Sequence, residues 1–409
     1  MNRHRRCIAA VFATLCLLSG AVAAADEPAR FFVAPDGKDA WSGTLSKPNA
    51  QDSDGPFKTV AAALEAAHAV PASAPVRIEL APGVYPVTEA LRITRDALTL
   101  AGAGMEQTVI HGGRRISGWK REGDVWVADM PEVARGEWDF SAIFVNGERR
   151  DPARTPNATN YAGDYPTDAD FFYADGPVME ETEDGEQAPS KTKFRFREGD
   201  IQPWDTLDDA VFVIFHCWEM SLLRVRKVDW ENRVVTFTGP AAWPFCHWRD
   251  DQWYFVQHLK EALDAPGEWF LDRDAGKLHY FPMPGEDMET AEVVAPVAKQ
   301  LLVAEGDPAN GIFIDGLTME GIGFHYCEYG IAPEGHSDGQ AAFTVPAAVQ
   351  LTGARHCAIR NCAVAHVGTY GVWFRAGCKD SLLRQCEVYD LGAGGVRIGE
   401  GDTPATDAD

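Results

Sequence analysis

Positive charge is scarce in this chain: 37 Lys and Arg stand against 61 Asp and Glu over 409 residues, a formal net charge of −24. So acidic a protein has no overall electrostatic footprint for nucleic acid or an anionic membrane, which leaves neutral molecules or cations as the easier partners. Long hydrophobic runs are absent beyond the first 25 residues, so nothing there reaches the roughly 20 residues of a membrane span. No two CxxC pairs stand at zinc spacing, no glycine loop precedes a helix to cradle phosphate, and no GxSxG elbow presents a serine nucleophile. Disorder is excluded as well, because 45% apolar and 24% charged residues is a globular balance.

What is present begins with a leader. Arg3, Arg5 and Arg6 precede an apolar run from Cys7 to Leu18, and Ala21-Val22-Ala23 and Ala23-Ala24-Ala25 place small residues at −3 and −1. This is the layout of a secretory signal peptide over 1–25 and predicts a secreted or periplasmic, soluble protein. Neither Cys7 nor Cys16 follows a small-residue box, which argues against a lipid anchor. Export permits disulfides. Cys217 with Cys246 and Cys357 with Cys378 are candidate pairs, while a buried, reduced column suits Cys362 and Cys386 at least as well.

A repeat dominates the C-terminal part. Val349-Gln350-Leu351, Val372-Trp373-Phe374 and Val396-Arg397-Ile398 recur at steps of 23 and 24 residues, and Ile359 to Val364 lies over Leu383 to Val388. A period in the twenties with short strands and glycine-rich corners means a solenoid. The leucine-rich consensus is missing, so the expected fold class is all-β, a right-handed parallel β-helix with Val349, Val372 and Val396 stacked inward. Ile312 to Leu317 and Gly321 to Phe324 give an earlier coil, followed by a loop from Glu328 to Pro346. Short strands at Val76 to Leu80, Leu91 to Ile93, Leu98 to Leu100 and Val109-Ile110 precede it. Val60, Leu64 and Ala67 share one face of a short helix suited to cap the open end.

Between Trp119 and Ala298 the period disappears, and ten of the twelve tryptophans gather there with hairpin-like pairs such as 267–272 and 277–281. This predicts an inserted all-β subdomain, sandwich-like. The resulting division is 1–25 leader, 26–118 cap and first coils, 119–298 insertion and 299–409 further coils. The chain stops just after a strand, with Thr403 to Asp409 offering no cap, so a C-terminally truncated fragment of a longer protein is expected, inactive in isolation.

Several stretches carry a resemblance: Phe32-Val33-Ala34-Pro35-Asp36-Gly37 with Trp41-Ser42-Gly43, Gly55-Pro56-Phe57-Lys58-Thr59, Gly112 to Trp119, Phe144 to Arg149, Ala153 to Asn157, and Leu263 to Arg273. Together they resemble secreted bacterial β-helix proteins of the carbohydrate-active group that includes glycoside hydrolase family 141 and, more distantly, family 120. The resemblance spans nearly all of the chain beyond the leader. It implies cleavage of a polysaccharide or oligosaccharide by paired carboxylates on the surface of the helix.

Register places chemistry on that surface. Equivalent positions in stacked coils lie roughly 4.8 Å apart, and aligning Ile322, Cys362 and Cys386 puts Tyr326, His366 and Asp390 in one column. Gln350, Trp373 and Arg397 form a second. Asp390 and the later Glu400 and Asp402 are the candidate catalytic carboxylates, weighed against corner-capping and exposed loop acids. Glu387 is a further visible partner for Asp390. Trp373 offers an indole face for a sugar ring, or packs beneath the 328–346 loop. Arg397 grips a carboxylate or pairs with Asp390, and His366 is a proton-transfer partner or a hydrogen-bonded spacer. Tyr326 and Tyr389 complete the candidate substrate contacts.

His216, Cys217, Trp218 and Glu219, with Cys246, His247 and Trp248, match no common metal motif and read better as aromatic hairpin packing. No metal site is assigned and no cofactor is required, although Asp36 and Asp39 carry the oxygen ligands that calcium favours, the alternative being a plain turn. A monomer is expected. The leading functional reading is a glycoside hydrolase. A polysaccharide lyase or epimerase is kept open by Arg360, Arg375, Lys379 and Arg384, and a non-catalytic carbohydrate-binding solenoid is the third reading.

Overall fold

The computed structural model describes residues 27–72, 74–157 and 168–400. Leader residues 1–25, and Asp402 with the rest of 401–409, lie outside the described residues. The chain is all-β with little helix. Its core is three parallel sheets, each receiving one strand per turn of chain. Val76–Leu80, Leu98–Ala101, Thr318–Glu320, Ala358–Arg360 and Leu382–Arg384 follow Ala29–Val33 in the first. Gly83–Pro86, Thr108–His111, Gly323–Cys327, Ala363–Val367 and Glu387–Leu391 make the second. Leu91–Ile93, Leu302–Glu305, Ala347–Thr352, Tyr370–Phe374 and Val396–Ile398 make the third.

Alternation decides what lies inside. Ile78, Leu100, Met319, Ile359 and Leu383 are direct neighbours up the first sheet. Tyr85, Ile110, Phe324, Val364 and Val388 climb the second. Leu91, Leu302, Val349, Val372 and Val396 climb the third. Apart from the exposed Val396, these columns meet in one apolar cluster. The corner between the first and second sheets is turned by Gly321, Asn361 and Gln385, all left-handed at φ of 66°, 49° and 55°. Asn tolerates that conformation and Gly adopts it freely. At Gly321 a Cβ would also stand 2.9 Å from the carbonyl oxygen of Gly102.

The helix Val60–His68 covers the first turn. Thr59 caps it by accepting from the amide of Ala62, and Val60, Ala63, Leu64 and Ala67 are buried beneath it. Arg95, itself buried, donates to the carbonyls of Ala67 and Ala74 and so satisfies groups around the helix end.

Two excursions leave from the same corner, between the second and third sheets. The longer departs after His111 and returns at Leu302; the shorter runs from Glu328 to Pro346, one turn later. In the longer, antiparallel pairing begins at Gly113–Ile116, which lies against Val293–Pro296. It builds an eight-stranded sheet with its own apolar cluster around Trp269 and Tyr280. The rest is not a sandwich. Val211–Phe215 pairs with both Met220–Asp229 and Trp253–Gln257, and this closes a six-stranded barrel through Phe172–Glu181, Gln187–Phe196 and Val234–Phe237. Phe194, Phe196, Phe212, Phe237, Phe245 and Tyr254 fill it, and closure removes the sheet edges that a sandwich would leave. The shorter excursion adds His336–Ser337 to Ser221 and Leu222, the end of Met220–Asp229 that Val234–Phe237 does not reach.

Neither candidate disulfide forms: all seven described cysteines are free thiols, including Cys217, Cys246, Cys357 and Cys378.

Candidate active site

The second sheet ends in a stacked irregularity. Tyr326, His366 and Asp390 all adopt left-handed backbone, at φ of 64°, 59° and 49°, and each falls between paired residues of its strand. The kink turns the three side chains into one column at the corner from which both excursions leave. The Tyr326 and His366 rings stack, with centroids 5.1 Å apart and planes 19° apart. His366 Nδ1 lies 2.7 Å from Oδ2 of Asp390. The column expected from the repeat is therefore assembled, with Tyr389 edge-on to His366 at 5.6 Å and 45% exposed.

The insertion supplies the rest. Asn146 and Gly147, both at positive φ, turn a hairpin that sets Phe144 directly opposite Arg149. Both side chains dock on the column. Phe144 meets Tyr326 and His366 edge to face at 5.0 and 5.4 Å. Arg149 Nε donates to Oδ1 of Asp390 at 2.7 Å, and Nη2 donates to the carbonyls of Val367 and Asp390. Its guanidinium also lies 4.7 Å over the Phe144 ring. Arg149 and Phe144 were invisible to the repeat. The signal that could have found them is the Asn-Gly turn, which puts residues 144 and 149 on one face.

Burial pushes the Asp390 carboxyl upward, but the His366 hydrogen bond and the Arg149 guanidinium outweigh it and hold the group below the ordinary carboxylate range. Burial lowers His111, and burial with the neighbouring His366 and His111 lowers His325 to about 4, so both stay neutral near pH 7. Burial, reinforced by Glu292, Tyr389 and Asp390, raises the Tyr326 hydroxyl to about 12. The corner thus presents an ionised carboxylate, fixed by two donors, beside the neutral rings of His111, His325 and Tyr326. His366 gives Nδ1–H to that carboxylate. Among the described residues nothing engages its Nε2.

The other candidates lie elsewhere. Gln350, Trp373 and Arg397 do share a column, but Trp373 is not the exposed indole that sugar contact requires. It is only 6% exposed, donates Nε1–H to Gly399, and has the guanidinium groups of Arg375 and Arg397 over its ring at 4.4 and 3.7 Å. Arg397 donates to the carbonyl of Phe343 rather than to Asp390. Glu400 is clasped by Arg375 at 2.8 and 3.1 Å and accepts from the amide of Ala376. Burial raises its carboxyl, yet Arg375 brings it below the usual range. Glu400 and Asp390 flank opposite ends of Val396–Ile398, so they do not form a carboxylate pair. Arg360 and Arg384 are neighbours on the first sheet. Asp39 accepts from the amides of Lys58 and Thr59 and from the Thr59 hydroxyl, the work of a turn.

Neither a family model nor a curated protein matches this sequence. Among solved structures, one titled "Glycoside hydrolase" superposes with a TM-score of 0.70 at 19% identity, over 92% of this chain and 68% of its own length. A second, titled "The complex structure of XylC with xylose", gives a TM-score of 0.40 at 15% identity over 90% of this chain and 56% of its own. The first establishes a shared, glycoside hydrolase-like fold. No helix among the described residues is long and apolar enough to cross a membrane.

Proposed function

We propose that this is a secreted, monomeric carbohydrate-active enzyme that hydrolyses glycosidic bonds in a polysaccharide, of the kind gathered in glycoside hydrolase families 141 and 120. Its wound core is a right-handed parallel β-helix. The observation that carries the reading is the Asp390 carboxylate, ionised and clamped by Arg149 and His366 at a corner lined with rings. The shared fold supports it but does not assign the site.

An ionised carboxylate cannot protonate a leaving oxygen. Asp390 instead answers the positive charge that develops at the anomeric carbon, and its two donors fix its orientation before substrate arrives. Proton donation requires a second acid on the same surface. Glu387 sits three residues earlier on the same strand, Glu387–Leu391, roughly 10 Å away at about 3.3 Å per residue. Tyr389 and Tyr326 flank the approach.

One observation favours a second reading. Arg149 and His366 both bond a single carboxylate, with Tyr389 against His366, and a base with a cation beside it is what proton abstraction from a uronate requires. The two separate cleanly. Hydrolysis releases reducing ends without ultraviolet absorbance, and a lyase releases an unsaturated, absorbing product. Reducing-sugar release from a polysaccharide without ultraviolet absorbance, abolished in Asp390→Asn, supports hydrolysis, because a lyase also frees reducing ends. Full activity in that variant overturns the assignment, and glycan binding without turnover in the native protein leaves a binding solenoid.

A further inference from the structure

The barrel inside the insertion has a mouth that the reaction at Asp390 does not use. Val211–Phe215 ends there, Met220–Asp229 and Trp253–Gln257 begin there, and the 243–249 segment crosses it. A cavity of about 180 Å3 opens between Phe215, His216, Trp248, Arg249, Gln252 and Trp253. Drug-sized ligands occupy roughly 300–1,000 Å3, and barrel mouths are a recurrent place for pockets. This cavity has room for one ring.

Its chemistry is mixed in a particular way. Trp218, Trp243 and Trp248 touch one another at 4.8 to 5.6 Å, yet Trp218 and Trp248 remain 51% and 40% exposed, and Met220 and Phe343 are exposed as well. The indole N–H groups of Trp218 and Trp243 both donate to the carbonyl of Gly339, so the 328–346 loop holds these rings in place. Among the cavity's residues, Gln252 and His216 are buried and bonded to each other, and His216 is bonded in turn to Ser221. Beside them both carboxyl oxygens of Glu219 are buried without a hydrogen-bond partner, 3.5 Å from His216 at the nearest. Packing alone does not call for a rigid indole surface open to water over an under-satisfied polar layer.

We propose that this barrel mouth is a binding subsite for a single neutral pyranose ring, with Trp248 taking the C–H face of the sugar and the exposed Arg249–Asp251 pair standing at its polar edge, while Gln252, spent on Cys246, Phe215 and His216, holds the floor. An indole offers an apolar face with a polar edge, which matches the two faces of a pyranose. Trp248 is packed against Trp218 and Trp243, the two rings that Gly339 anchors, and this lowers the ordering cost of binding. The loop that fixes the indoles starts at Glu328, two residues after Tyr326 of the Asp390 column. A remote sugar of a chain cleaved at Asp390 is the occupant this subsite suits, a role that rests on the glycan reading above.

The test is binding without turnover. Methyl β-xylopyranoside, methyl β-glucopyranoside and methyl β-galactopyranoside are titrated into the native protein and into Asp390→Asn, read by tryptophan fluorescence and by saturation-transfer NMR. At least one glycoside is expected to bind both proteins with a Kd on the order of 1 mM, with transfer from indole protons to the sugar C–H protons. Trp248→Ala is expected to weaken it about tenfold, a loss of the size that ring stacking supplies. Absence of binding by all three glycosides, or unchanged affinity in a folded Trp248→Ala, overturns the proposal. If that variant does not fold, the native NMR decides: transfer with no indole contribution overturns it equally. Binding with no hydrolysis removes only the catalytic reading, and hydrolysis without this binding removes only the subsite.

Discussion

Arg149 and Asp390, 241 positions apart, meet at 2.7 Å. The contact joins the insertion to the wound core, because Arg149 belongs to the Asn-Gly hairpin of the former and Asp390 to a kinked strand of the latter. It also sets the charge of the corner. Without the guanidinium, His366 alone would oppose the burial that raises the Asp390 carboxyl.

Arg149→Ala should therefore move the acid limb of the pH–rate profile to higher pH and reduce kcat by about 10- to 100-fold at neutral pH. Arg149→Lys, which keeps the charge but loses the fork that also bonds Val367 and the Asp390 carbonyl, should recover part of this. The stability change has a definite sign. A depressed carboxyl contributes stability above its unfolded value, near 3.8, and that stability is lost as pH falls through the folded value. The alanine variant should be destabilised most at neutral pH and least in strong acid, as urea midpoints at several pH values would show.

The column of Tyr326, His366 and Asp390 was legible in the sequence because a parallel stack converts a fixed period into vertical neighbours. Val349 and Val372, then Val372 and Val396, pair in the register that the 23- and 24-residue steps require. What the period could not carry is anything arriving from outside it. Arg149 and Phe144 come from antiparallel strands whose register is set by a turn, and the barrel closes through Val211–Phe215 pairing on both edges, a long-range choice that alternation alone does not encode. Trp373 misled for a different reason. Alternation correctly faced it away from the core, but Arg375 and Arg397 then covered it.

Trp373→Ala should accordingly damage stability rather than recognition. The indole is buried, hydrogen-bonded to Gly399 and covered by two guanidinium groups. Its removal should cost about 3–5 kcal/mol, read as a lowered denaturation midpoint, while KM for any accepted oligosaccharide changes less than twofold at temperatures where the variant is folded. A large rise in KM with unaltered stability would place the sugar on Trp373 after all.

Glu219 makes the barrel mouth sensitive to pH. Burial, with Asp338 nearby, raises its carboxyl from 4.5 to about 7, so the folded chain keeps a proton that the unfolded chain releases between those values. Stability attributable to this group therefore falls as pH rises through that window. His216 opposes it lower down, since burial depresses the imidazole from 6.5 to about 4 and the folded chain resists protonation there. Glu219→Gln should raise the melting temperature at pH 8 by about 2–4 °C and leave it nearly unchanged at pH 4.5. Equal melting temperatures of variant and parent at both pH values would show that the carboxyl is not held protonated.

The valine column gives the sharpest test of the wound core itself. Val372 has no exposed surface and is paired on both sides, by Val349 below and Val396 above. Val396 occupies the same register but is 43% exposed. Two identical truncations at equivalent positions thus differ only in how much apolar surface and packing they remove. Val372→Ala should cost about 2 kcal/mol, from lost transfer free energy plus the cavity left in a tightly packed column, whereas Val396→Ala should cost less than about 1 kcal/mol. If the chain were wound in a different register, Val372 would have no special burial and the two variants would unfold at the same denaturant concentration. Measured side by side by tryptophan fluorescence, a clear gap between the midpoints supports the stack, and coincident midpoints remove the geometric basis for placing Asp390 above His366.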